Sequence, residues 1–178
     1  MTQIKEKKHR LPSDLYVGYV RVAVTACIKN RLPVFVNSNV VDYFSDTLIS
    51  EATDNNCDTL IYLFMPDHLH VILKGKTHDA EPLKAMNRFK QKTGFWFSKN
   101  DSKSGWQKNY YDHLIRNEEG VLKHIRYVLN NPVRRGIVAD WFDYPYKGST
   151  SLDLNKEIFQ IINSQAEACA YQYDSGAS

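Results

Sequence analysis

Cysteine is scarce in this chain of 178 residues: Cys27, Cys57 and Cys169 are scattered, odd in number and without CxxC spacing. That argues against a disulfide framework and against a thiolate metal centre. Long apolar runs are missing as well, so no segment reads as a membrane span. The opening MTQIKEKKHR is basic but leads to polar residues and Pro12 instead of an apolar stretch. It does not read as a secretory signal, and a cytoplasmic location is the expectation. A strong charge imbalance is also lacking: the formal net charge is +3 and the mean hydropathy -0.47, ordinary for a globular protein.

The distribution of charge says more than its sum. From Lys84 to Lys108 seven Lys or Arg residues face one acid, Asp101. Interspersed among them are Phe89, Phe95, Trp96, Phe97 and Trp106. Cations that follow phosphates and rings that stack on bases are the composition of a single-strand binder. A solvated helix face with core aromatics has the same composition, and the segment alone does not choose.

Hydrophobic periodicity outlines one domain with extensions: a basic arm at 1–15, a main domain at 16–150, and a helical extension with a tail at 151–178. Val20, Val22 and Val24 alternate with Tyr19, Arg21 and Ala23 as in a half-buried strand. Val40, Val41, Phe44, Leu48 and Ala52 recur at helical spacing. DTLIYLFM and HLHVILKG flank Pro66 and Asp67 as a hairpin. Leu83, Met86 and Phe89 mark a second helix opening near Pro82, with FWFSKNDSKSG reading as a loop. WQKNYYDHLI reads as a short aromatic strand, and NEEGVLKHIRYVLNN as a third helix stopped by Pro132. A last helical patch surrounds Ile158, Phe159, Ile161 and Ile162. This order predicts an α+β fold, an antiparallel sheet with helices packed on one face and ferredoxin-like connectivity.

Three features carry chemistry. His68 and His70 sit two apart on a predicted strand, so both side chains leave one face about 7 Å apart. Leu69, Val71 and Leu73 point the other way into the core. Two histidines are few for a catalytic cation, which usually takes a third protein ligand. On the third helix Leu122, Ile125, Val128 and Leu129 form the buried stripe, whereas Lys123, Tyr127 and Asn131 run along another face. By spacing alone Tyr127 reads first as a seam tyrosine with its hydroxyl in water, while Asn131 is equally a cap before Pro132 or a carbonyl ligand. Beside a bound cation, a tyrosine can attack a phosphodiester and remain attached.

MPDHLHVIL, RFKQKTG, WQKNYYDHLIRNEEG and YVLNNPVRRGIV, in this order, resemble the REP-associated branch of the HUH single-tyrosine transposases. The likeness runs from about Gly18 to Ser149. It implies a metal pair at His68 and His70, a nucleophile at Tyr127 and a polar ligand at Asn131, with Mg²⁺ or Mn²⁺ as cofactor. It also implies single-stranded DNA bearing palindromic hairpins as partner, with Arg88, Lys90, Lys92, Lys108 and Lys123 as DNA contacts, in a monomer or homodimer. Two positions depart from the family pattern: Asp67 lies where asparagine is common, and Arg135 where alanine is usual. Two other functions stay open, a domesticated hairpin-binding protein that no longer cuts and a phosphodiesterase that uses metal-activated water.

Overall fold

The computed structural model describes residues 11–154. Most of the basic arm and the helical patch around Ile158–Ile162 lie outside the described residues. Within them the strands are β1 (Arg21–Cys27), β2 (Cys57–Met65), β3 (His68–Gly75), β4 (Tyr111–Ile115) and β5 (Lys147–Gly148). The helices are α1 (Ser38–Asp54), α2 (Pro82–Asn100), α3 (Glu118–Leu129) and the four-residue α4 (Asn131–Arg134). The sheet order is β4-β1-β3-β2-β5, and every pair is antiparallel. Without the short β5 this is the ferredoxin-like arrangement expected from the element order.

Alternation along the central strands sorts the two faces. Val22, Val24 and Ala26 of β1 and Leu69, Val71 and Leu73 of β3 turn towards α1 and α2. There they meet Val41, Phe44, Leu48 and Ala52 of α1 and Ala85, Met86 and Phe89 of α2. Phe35, Phe44, Phe89, Phe97 and Trp106 form a connected aromatic cluster in this layer. The two long helices thus cover one face. The opposite face carries Ile61, Leu63, Met65 and Ile72, against which α3 lays Val121, Ile125, Val128 and Leu129. The stripe of α3 therefore includes Val121, whereas Leu122, expected inside, is only partly buried.

Helix α2 extends into the expected loop as far as Asn100, because Phe89, Thr93 and Phe97 continue one buried line through Gly94. Trp106 makes an isolated bridge to Ile28, and only Tyr111–Ile115 of the aromatic segment form a true strand. The two-residue turn Pro66-Asp67 between β2 and β3 is pinned from outside: Phe35 N–H donates to Pro66 O (3.0 Å) and Ile28 N–H to Asp67 O (2.9 Å). Asp67 is thus held at the entry to the histidine strand. None of the described helices is long and apolar enough to cross a membrane.

Candidate metal and nucleophile site

His68 and His70 open β3 on the face occupied by α3, opposite Cys27 and Thr25 of β1. Both are buried, at 4% and 7% exposure, yet they line a cleft of about 690 Å³ between the sheet and α3. Their Nε2 atoms approach to 3.1 Å. The outer nitrogens are engaged: His68 Nδ1 lies 2.6 Å from Asp67 Oδ1 and His70 Nδ1 lies 2.9 Å from Thr25 Oγ1. A carboxylate only accepts, so His68 carries its proton on Nδ1 and turns a lone pair inward. With His70 in the same tautomer, two lone pairs converge on one place, an arrangement that a divalent cation satisfies.

Electrostatics favours the neutral imidazoles that metal binding requires. Burial lowers the pKa of His70 to about 3, helped by His68 and the guanidiniums of Arg135 and Arg31. Burial also lowers that of His68, against the opposing pull of Asp67. Burial alone would raise the Asp67 carboxyl. The hydrogen bond donated by His68 and the guanidiniums of Arg135 and Arg31 outweigh it and hold the group below the usual range.

Helix α3 supplies the other side of the cleft. Its N-cap Asn117 accepts from Gly120 N–H (2.8 Å), Lys123 and Tyr127 follow on the cleft side, and Asn131, at the start of α4, continues the line four residues later. Tyr127 is half-exposed, its ring centroid 6.1 Å from that of His70 in an edge-to-face contact. The Arg134 guanidinium stands 5.2 Å from the ring centroid of Tyr127. Asn131 is buried and donates through Nδ2 to Tyr127 O (2.8 Å) and Val128 O (3.3 Å). Fixing the amide nitrogen leaves Oδ1 as its available donor atom for a cation. Two imidazoles and an amide oxygen fit a mixed nitrogen and oxygen site, and nitrogen ligands suit Mn²⁺ better than Mg²⁺. No cluster of three His, Cys, Asp or Glu side chains stands ready for a metal among the described residues.

The cationic residues are spread more widely. Lys123 lines the cleft and pairs with Glu119 at 2.5 Å. Lys90 donates to Gln107 O (2.9 Å) and Lys108 O (3.2 Å), and lines with Lys108 a separate pocket of about 470 Å³ beside Trp106. Lys92 forms an ion pair with the buried Glu51 and ties α2 to α1. Arg88 is exposed on α2. Of the aromatic residues in this segment, Phe89, Phe97 and Trp106 are core and Phe95 is exposed.

Sequence reading missed several residues at the cleft. Thr25 becomes visible only once β1 is paired in register with β3. Arg31 comes from the short 3-10 turn Lys29–Arg31 after β1, and Tyr111, His113 and His124 gather where β4 meets α3, with His113 and His124 stacked at 5.4 Å. The two departures from the family pattern meet here: Arg135 Nη1 lies 3.3 Å from Asp67 Oδ1.

Residues 17–131 match the model of the family described as "Transposase IS200 like". A Haemophilus influenzae protein assigned to the REP-associated tyrosine transposases is 31% identical over 138 residues, which span 68% of this chain and 77% of that one. The REP-associated tyrosine transposase of Escherichia coli K12 is 24% identical over 99 residues, 56% of this chain and 58% of that one. A REP-associated tyrosine transposase solved in complex with a REP hairpin superposes with a TM-score of 0.67 at 20% identity, covering 79% of this chain and 81% of that one. The chain belongs to the IS200-like transposases, in their REP-associated tyrosine branch.

Proposed function

We propose that this transposase cuts and rejoins single-stranded DNA at palindromic hairpins, with Tyr127 as nucleophile. The observation that carries this reading is the meeting of Tyr127 with the convergent His68 and His70 across one cleft. The Tyr127 phenol loses its proton and its oxygen bonds to phosphorus, while the 3′-oxygen of the preceding nucleotide leaves as a 3′-hydroxyl. The product is a 5′-phosphotyrosine, and attack by another 3′-hydroxyl reseals the strand and returns the phenol, so no external energy source is needed. A Mg²⁺ or Mn²⁺ ion held by His68, His70 and Asn131 would polarise a phosphate oxygen and offset the charge that develops there.

The test is incubation of the protein with labelled hairpin DNA and either ion, followed by denaturing electrophoresis. A labelled covalent adduct that disappears in Tyr127→Phe is the expected result. Cleavage without an adduct and insensitive to that substitution would instead mark a water-using phosphodiesterase. Tight, steeply salt-dependent binding with no cleavage of any palindrome would mark a binding protein.

A further inference from the structure

We infer that Arg31 and Arg135 form a phosphate clamp at the His68 end of the site, gripping a backbone phosphate next to the one that Tyr127 attacks. The inference rests on the reading of the cleft as a DNA-cutting site. Both guanidiniums converge on one carboxylate: Arg31 Nη1 lies 3.2 Å from Asp67 Oδ2 and Arg135 Nη1 lies 3.3 Å from Asp67 Oδ1. Asp67 is itself buried, fixed by the pinned turn and bonded to His68. The two arginines are therefore held in place from below, while their side chains remain 46% and 49% exposed and line the cleft.

The charge balance points to an anion. One carboxylate faces two guanidiniums, which leaves an excess of one positive charge at this end of the cleft. Lys123 also lines the cleft, with its charge paired to Glu119, and no carboxylate is among the described residues that line it. A guanidinium has five N–H donors, and each arginine spends one nitrogen on Asp67. The planar fork that remains matches phosphate oxygens.

Order across the site selects which phosphate is held. Contacts run from Tyr127 to His70, from His70 to His68, and from His68 through Asp67 to the arginines. The nucleophile stands at one end of the histidine pair and the guanidiniums at the other. A strand laid along the cleft with its scissile phosphate near Tyr127 brings a neighbouring phosphate to the clamp.

The test uses the full chain and a hairpin oligonucleotide with a single-stranded flank, bound in EDTA so that no cutting occurs. Affinity is measured against salt for the wild type, Arg31→Gln, Arg135→Gln and Arg135→Lys. Each glutamine variant should lower the slope of log K against log salt by about 0.7, the loss of one contact to a single strand, while Arg135→Lys keeps the slope. Replacing single phosphates with neutral methylphosphonates should weaken wild-type binding at one flank linkage. Both glutamine variants should be indifferent at that same linkage. Unchanged slopes, or indifference at two different linkages, would overturn the clamp in a protein that still forms the Tyr127 adduct. If Arg135→Gln weakens only Mn²⁺ binding, the arginines merely orient Asp67 and the clamp is wrong. A wild type that neither binds the hairpin nor forms an adduct refutes the DNA-cutting reading itself, and the clamp with it.

Discussion

Thr25 contributes one hydroxyl to the site, and that hydroxyl fixes which way the His70 ring faces. Its Oγ1 lies 2.9 Å from His70 Nδ1, as Asp67 lies against His68, so each proposed ligand has a partner behind it. Such partners typically matter 10- to 100-fold for metal affinity. Thr25→Val should therefore weaken Mn²⁺ binding by about one to two orders of magnitude, whereas Thr25→Ser should restore it. Calorimetric titration reads the affinity, and an unchanged circular dichroism spectrum separates the effect from misfolding. Equal Mn²⁺ affinity in the wild type and the valine variant would show that the hydroxyl does not orient His70.

At the level of elements, α2 and the segment after it are joined by one buried polar contact. Thr93 Oγ1 donates to Phe89 O (2.7 Å) and accepts from Trp106 Nε1 (2.8 Å), so the helix holds the indole in the aromatic core. Thr93→Val would leave the Trp106 N–H buried without a partner, at a cost of about 1–3 kcal/mol, and Thr93→Ser should recover most of it. Urea denaturation followed by tryptophan fluorescence measures the difference. The same threonine explains why α2 reads short in the sequence. A polar residue at the buried position between Phe89 and Phe97, followed by Gly94, breaks the apolar stripe, although its hydroxyl is satisfied inside the fold. Lys90 and Lys92 illustrate a second limit. Their charge is visible in the sequence, but the carbonyls of Gln107 and Lys108 and the carboxylate of Glu51 that engage them are brought near by tertiary packing. By contrast, the histidine pair was legible, because a period of two fixes the face of a strand without knowledge of its neighbours. Periodicity also placed Tyr127 and Asn131 off the buried stripe of α3. It could not say on which side of the sheet α3 would lie.

Across the whole molecule, the two layers bury their cysteines deeply enough to make them reporters of unfolding. Burial raises the thiol of Cys57 to about 11 and that of Cys27 above its ordinary value. A raised thiol pKa means that the thiolate, the reactive form, appears only as pH climbs through the higher value. At pH 8 in the native protein both should resist iodoacetamide, and both should react once denaturant opens the fold. Peptide mass mapping of the labelled sites checks this, and native labelling of Cys57 comparable to that of a free thiol would contradict the packing. The sheet thereby separates two tasks: α1 and α2 close the core on one face, and α3 brings Tyr127 to the histidines on the other.

The ion pair between Asp67 and Arg135 makes its two members unequal targets for substitution. Losing Arg135 first leaves Asp67 still matched by Arg31 and His68, a tolerable intermediate. Losing the Asp67 carboxylate first leaves two guanidiniums facing each other beside the imidazoles, with nothing between them to offset their repulsion. The two changes are thus unequal as single substitutions: the site tolerates loss of the arginine better than loss of the acid.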